Sequence, residues 1–210
     1  MLLSAEVRWF WQGSMPPLSG WFAAWSPGPG GGTERPDKYL VDPSQTELGI
    51  KNRAAKPGLE IKSLVSVRRL LRLGPLTATA QIWTKVPTNS FDLAGLPCVT
   101  VNKRRWLRKY DTANSKAREI ELGKDEKPIS GEWPVNGCNV EFTEVWFEDS
   151  TKLWTSLGFE AFGPLERVEE TLAAIVEHVG SRRFPDVGPG ITMSYPEWLA
   201  EQALSTSRKS

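Results

Sequence analysis

The sequence predicts an α+β protein built on an antiparallel sheet of about eight strands, with a few helices, two of them near the C-terminus. Three observations support this fold class. Many segments alternate polar and apolar residues with a period of two, which is typical of strands. Their connections are short, as between antiparallel neighbours. A clear helical spacing of apolar residues appears only from residue 164 onward.

Composition narrows the class of protein. The chain has 210 residues with 26 Lys and Arg against 25 Asp and Glu, a formal net charge of +1. Bulk charge therefore attracts no partner, and any basic patch must be local. The length suits a single domain, residues 1–210. Cys98 and Cys138 fit no metal-ligand spacing and are expected to be small buried residues. No segment resembles a signal peptide or a membrane span, so we expect a cytoplasmic protein with no membrane contact.

The first strand is predicted at Ser4–Trp11, where polar and apolar residues alternate. Residues 13–37 then hold five prolines and a Pro-Gly-Pro-Gly-Gly-Gly run. We expect a flexible loop there, with a short helix at Leu18–Ala24. The Gly30–Gly32 run is interpreted as linker rather than phosphate loop, because no strand leads into it and no helix with Lys-Ser or Lys-Thr follows.

The other elements follow in order. A turn at Lys56-Pro57-Gly58 is expected to join two strands, Glu47–Arg53 and Leu59–Val65, into a hairpin. A helix is predicted at Pro164–Gly180, and a shorter one begins at Ser194, where Glu197 completes a capping-box pattern. The remaining strands are predicted at Glu47–Arg53, Leu59–Val65, Leu76–Lys85, Cys98–Tyr110, Ala117–Leu122, Asn139–Phe147 and Leu153–Phe162.

Basic residues recur in these strands, and where two share a strand they are two residues apart, so both point to the same side of the sheet. If the sheet closes with those sides inward, they form one basic cavity that suits a polyanion. The alternative is the solvated face of an open sheet, with ion pairs across strands to Glu47 and Glu60. The candidate anion ligands are Arg8, Lys51, Arg53, Lys62, Lys85, Lys103 and Arg105.

The densest basic run, Lys103–Lys109, also includes Trp106 and would suit contact with RNA. In a strand, however, Lys103 and Arg105 face one way while Arg104, Trp106 and Arg108 face the other. This division halves the apparent patch, so an RNA-contacting β module is the weaker interpretation.

Six short motifs occur in an order that resembles the CYTH superfamily, also called triphosphate tunnel metalloenzymes. Each motif is short, and the resemblance depends on their order along most of the chain. They are Glu6-x-Arg8 (Glu-x-Glu-x-Lys in the family), Leu48–Arg53 (Leu-Arg-Ile-Arg), Leu59–Lys62 (Leu-Thr-Leu-Lys), Val101–Arg105 (Val-x-Lys-x-Arg), Leu157–Glu160 (Gly-x-Phe-x-Glu) and Ser194–Leu199 (Ser-Tyr-x-x-Leu-Leu).

The resemblance implies an eight-stranded antiparallel β-barrel that forms a tunnel. In it the seven basic residues would bind a triphosphate or other polyphosphorylated small molecule, while acidic side chains would hold Mg²⁺ or Mn²⁺ for phosphoanhydride hydrolysis. The implied metal ligands are Glu6, Glu141 and Glu160, with Glu6 and Glu160 in the catalytic role. The alternative for these three glutamates is structural ion pairing inside the basic cavity, because buried cations need such partners. Glu60 is a further inward-facing carboxylate.

The sequence departs from the family at three acidic positions. Ser4 stands where the first Glu of the opening motif belongs, Phe162 replaces the second Glu of the late strand, and Thr143 occupies an acidic position of the strand before it. Fewer carboxylates predict weaker metal binding. A non-catalytic relative that binds a polyphosphate or an acidic partner through the same cavity therefore stays an open alternative.

Overall fold

A closed barrel is the main feature of the computed structural model, which describes residues 2–53, 58–89, 92–114 and 116–207. Three helices accompany the strands: α1 (Pro16–Ala23), α2 (Leu165–Gly180) and α3 (Tyr195–Ser207). The strands are β1 (Leu2–Gln12), β2 (Gly30–Leu40), β3 (Leu48–Arg53), β4 (Leu59–Leu73), β5 (Leu76–Thr88), β6 (Cys98–Asp111), β7 (Arg118–Ile120), β8 (Gly137–Phe147), β9 (Trp154–Phe162) and β10 (Ile191–Thr192).

Eight of these strands form the barrel, in the order β1-β5-β4-β3-β2-β6-β8-β9, with every neighbouring pair antiparallel. The ring closes because β1 pairs with β9 as well as with β5. The short strands β7 and β10 add to β6 and β1 outside the ring. The predicted eight-stranded antiparallel barrel is therefore confirmed.

The main apolar core lies on the outside of the barrel. Because side chains alternate along a strand, Val7 and Trp9 of β1 point outward and are buried with Val168 and Leu172 of α2. Residues at a helical spacing on α2 supply the opposing surface, as the sequence predicts. Helix α1 joins the same core through Leu18, Trp21 and Phe22.

A second, smaller core lies inside the barrel, where inward-facing side chains of the strands pack against α3. Trp198 stacks on Phe10 with ring centroids 5.3 Å apart and on Phe147 at 5.2 Å. Phe10 faces the same side of β1 as Glu6 and Arg8, so this aromatic cluster lies inside the barrel. It fixes α3 against the barrel and makes the start of α3 part of the interior lining.

The predicted flexible loop at 13–37 is wrong from Gly30 onward, because β2 begins there and pairs with β6. The glycines serve a close approach between strands rather than a linker. Gly31 and Gly32 adopt positive φ at a register shift, and a Cβ on Gly32 would lie 2.8 Å from Nε1 of Trp106. Pro36 is tolerated because β3 pairs with β2 only from Asp37 on.

The predicted barrel strand at Ala117–Leu122 is also wrong in its role. It contracts to the three residues of β7, which pair only with β6, and β2 takes the eighth place in the ring.

The remaining predicted elements agree with the structure. The helix predicted at Leu18–Ala24 is confirmed as α1. The other predicted strands appear within a few residues of their expected ends, except that β4 continues to Leu73. Of the predicted turn, Lys56 and Pro57 lie outside the described residues. No helix in the described part of the chain is long and apolar enough to cross a membrane.

Candidate functional site

All ten predicted site residues line one cavity of about 430 Å³, enclosed by barrel strands and the start of α3. Seven are the predicted anion ligands and three are the predicted metal ligands. Arg35, Glu60 and Glu197 add further charges to the wall, so eight Lys and Arg face five Glu. The predicted residues are Glu6, Arg8, Lys51, Arg53, Lys62, Lys85, Lys103, Arg105, Glu141 and Glu160.

Alternation along the strands explains this convergence. Lys51 and Arg53 share one side of β3, and Lys103 and Arg105 share one side of β6. Barrel closure turns both sides inward, toward Arg8 of β1. The alternative of a solvated face on an open sheet is therefore wrong for these residues, although the cross-strand ion pairs to Glu60 that it included do form, with Lys51 and Arg53.

Glu141 links two arginines at the centre of the cavity. Its carboxylate accepts a hydrogen bond of 2.8 Å from Arg8 and another of 2.8 Å from Arg105. Arg8 also donates to the hydroxyl of Ser156 at 3.0 Å. The Arg8 guanidinium lies directly over Gly158, its cross-strand partner, where a Cβ would come within 2.4 Å of Cζ. Burial alone would raise the pKa of Glu141, but Arg105 and Arg8 hold it well below its usual range.

Glu6 and Glu160 occupy directly paired positions on β1 and β9. Each is ion-paired with a lysine, Glu6 with Lys62 and Glu160 with Lys85. Burial favours a raised pKa for Glu160, but Lys85 and Lys62 outweigh it and lower the pKa. Glu160 is therefore held ionised by the lysines beside it, and Glu6 lies next to it with its own lysine partner.

Glu60 is shared by two cations on the neighbouring strand. It lies 2.8 Å from Nζ of Lys51 and 3.3 Å from the guanidinium of Arg53. Burial would raise the pKa of Glu60, but Lys51, Lys85 and Arg53 lower it to about 2. Lys51 itself has a lowered pKa, because its desolvation outweighs the attraction to Glu60.

Lys103 is the most deeply buried of the seven cations. It is 5% exposed, pairs with Asp37 at 3.2 Å and donates to the hydroxyl of Tyr39. Its Nζ lies 4.0 Å from the ring centroid of Tyr195, which stacks on Tyr39. Desolvation dominates over Asp37 and holds the pKa of Lys103 well below its usual range.

Four buried polar atoms in the cavity wall have no hydrogen-bond partner among the described residues. Two are hydroxyls, on Thr143 and Tyr195, and two are the Nε atoms of Arg35 and Arg53. A buried polar group without a partner costs about 1–3 kcal/mol. Several such groups around one cavity indicate a place for a polar ligand.

The carboxylates of the cavity do not present a set of free oxygen ligands for a divalent metal. The described residues contain no group of three or more His, Cys, Asp or Glu positioned to hold a metal ion. Glu6, Glu141 and Glu160 are instead each paired with lysine or arginine. In this arrangement they do not fit Mg²⁺ or Mn²⁺, which need several free oxygen ligands. The metal site and the catalytic roles of Glu6 and Glu160 stay predictions from the resemblance.

Three residues that line the cavity or pair with its cations were not predicted from the sequence, because they lie on β2, where a loop is expected. Arg35 and Tyr39 line the cavity, and Asp37 is fully buried beneath Lys103 and Arg35. Their spacing of two is a strand signal, but the glycines and prolines around it mask the pattern.

The basic run of β6 is divided between the two sides of the strand. Trp106 packs on Phe142 with centroids 5.5 Å apart and is covered by Gly32. Arg108 is 1% exposed and donates to the carbonyl oxygens of Phe22 and Trp25, which secures α1 and the turn after it. Trp106 and Arg108 are thus engaged within the fold, and the outward-facing Arg104 pairs with Glu34 and Glu144.

Comparison of the chain with models of known protein families gave no match, and comparison with curated protein sequences gave none either.

Proposed function

We propose that the barrel binds a triphosphate or another polyphosphorylated small molecule in its basic cavity, as a divergent protein of the triphosphate-tunnel type. The observation that carries this proposal is the convergence of seven Lys and Arg from five strands on one cavity. Strands hold these side chains in place before a ligand arrives, so little ordering is needed on binding.

The hydrogen-bond donors of the cavity wall leave room for an anion, even though Asp37 and Glu126 add to the acidic partners by pairing with Lys103 and Arg105. Glu141 is shared by Arg8 and Arg105, and Glu60 is shared by Lys51 and Arg53. Each shared carboxylate satisfies only part of the donor capacity of its two cations. Phosphate oxygens can take up the remaining donors, and guanidinium groups bind phosphate in a two-pronged geometry. A triphosphate, with about four negative charges, suits this excess of donors.

The size of the cavity favours a small molecule over an acidic protein. Its volume of about 430 Å³ lies in the range of about 300–1,000 Å³ usual for small-molecule sites. Binding is proposed ahead of hydrolysis, because the glutamates that would hold a metal are paired with cations.

Titration calorimetry with tripolyphosphate in EDTA tests the proposal. We expect one molecule to bind per barrel, with an affinity that falls as salt is added. Arg53→Gln should weaken binding about tenfold or more, since a hydrogen bond to a charged group is worth about 1.5–3 kcal/mol. Glu60 keeps Lys51 as a partner in this variant, so we expect the fold to be preserved.

Arg118→Gln is the matched control, because Arg118 is 72% exposed and pairs with Asp111 away from the cavity. It should leave the affinity unchanged. An absence of binding heat for the wild-type protein would overturn the proposed function. Phosphate release from tripolyphosphate with Mg²⁺ or Mn²⁺ would add the hydrolase activity that the resemblance implies.

A further inference from the structure

We infer that the cavity takes the metal-free polyphosphate anion rather than its Mg²⁺ complex, with the hydroxyls of Thr143 and Tyr195 as direct hydrogen-bond donors to phosphate. The inference rests on the proposed function and specifies the form of the ligand and two further residues that bind it.

Thr143 lies at the centre of the wall with its hydrogen-bond capacity unused. It is 2% exposed, and its cross-strand partners are Arg105 on β6 and Ser156 on β9. The Ser156 hydroxyl already accepts from Arg8, whereas Oγ1 of Thr143 has no partner among the described residues. A ligand oxygen held by Arg8 and Arg105 would supply the missing partner.

Tyr195 brings a second donor from α3. Its ring centroid lies 5.1 Å from Cζ of Arg8 and 4.0 Å from Nζ of Lys103. Its buried hydroxyl is likewise without a partner in the described structure. Because burial raises the pKa of Tyr195, the hydroxyl keeps its proton and acts as a donor.

These donors favour a free phosphate over a chelated one. A chelating Mg²⁺ occupies phosphate oxygens, brings its own waters and demands further oxygen ligands from the protein. Here Glu6, Glu141 and Glu160 are engaged with Lys62, Arg105 and Lys85. In the free anion, every oxygen remains open to hydroxyl, ammonium and guanidinium donors.

Calorimetry with tripolyphosphate, in EDTA and then in excess Mg²⁺, tests the inference. The wild-type affinity should be at least tenfold lower in Mg²⁺. In EDTA, Thr143→Val and Tyr195→Phe should each lower the affinity about tenfold, the value of a hydrogen bond to a charged group. Neither variant should lower the Tm without ligand, because the deleted hydroxyls have no partner in the described structure.

Tyr110→Phe is the matched control for tyrosine. Its hydroxyl donates to Glu119 at 2.9 Å outside the cavity, so this variant should lower the Tm and keep the affinity. Unchanged affinity in both Thr143→Val and Tyr195→Phe would overturn the hydroxyl assignment. Equal or tighter wild-type binding in Mg²⁺ would overturn the preference for the free anion. In either case wild-type binding would leave the proposed function standing, whereas no binding in either buffer would overturn both.

Discussion

At the residue scale, Gly158 matters because the absence of a side chain leaves the space in which the Arg8 guanidinium lies. The Arg8 guanidinium lies across this glycine to reach Glu141 and Ser156. A Cβ at position 158 would lie 2.4 Å from Cζ and 2.5 Å from one terminal nitrogen of Arg8. The clash involves a guanidinium that is hydrogen-bonded on two sides, so it has no simple way to move aside.

We therefore expect Gly158→Ala to displace Arg8. The free energy of unfolding should fall by about 1–3 kcal/mol, as when a packed site is overfilled, and tripolyphosphate binding should weaken with it. Urea unfolding and calorimetry measure the two effects. Gly28→Ala is the control, since a Cβ there would meet nothing within 4 Å. If Gly158→Ala matched the control in both measurements, Arg8 would have another position of equal energy.

At the element scale, the strands differ in how well the sequence predicts them. β1, β8 and β9 alternate over much of their length, and alternation depends only on local geometry, so it can be seen without knowing the fold. β2 was not predictable in this way. Gly31 and Gly32 are required by contacts with Arg105 and Trp106 of β6, and only the assembled barrel brings those residues together.

Helix α3 depends on its first turn for its position in the cavity wall. The backbone N–H of Ser194 donates to Glu197 at 2.5 Å, and the N–H of Glu197 donates back to the Ser194 hydroxyl at 3.2 Å. This is the predicted capping box. Because Tyr195 and Trp198 lie in the same two turns, the cap holds both the cavity wall and the inner aromatic core.

Ser194→Ala should cost about 1 kcal/mol, the usual value of an N-cap side chain. For a chain of this size that cost lowers the Tm by about 2–4 °C. Differential scanning calorimetry measures the change, and Ser194→Thr should restore most of it because threonine also caps. An equal loss in both variants would mean that packing of the side chain, rather than its hydroxyl, matters at position 194.

At the scale of the whole molecule, the seven cations could be predicted but most of their partners could not. Glu60 is the exception, since the sequence predicts it as a cross-strand partner and it pairs with Lys51 and Arg53. Sidedness within a strand follows from spacing, so the set that shares the cavity is visible in the sequence. Which carboxylate each cation meets depends on the register of closure. Glu126 illustrates this: it binds Arg105 from the turn-rich segment before β8, and no local pattern connects the two residues.

The same ion pairs should make the folded barrel sensitive to acid. The pKa of Glu60 falls from 4.5 to about 2 on folding, so its contribution of about 3 kcal/mol is fully present above pH 4.5. That contribution is lost as the pH falls toward 2, because the unfolded chain then takes up the proton first. Glu141, whose pKa is also held low, acts in the same direction.

Urea unfolding at pH 7, 4.5 and 3 measures this dependence. The wild-type free energy of unfolding should fall mainly between pH 4.5 and pH 3. Glu60→Gln should be less stable at pH 7 and should lose less on acidification, since it lacks one carboxylate that binds a proton more tightly when unfolded. Glu132→Gln, at an exposed position, should keep the wild-type slope. If Glu60→Gln kept that slope too, the pairs of Glu60 with Lys51 and Arg53 would contribute nothing to folding, and these cations would be held by the barrel backbone alone.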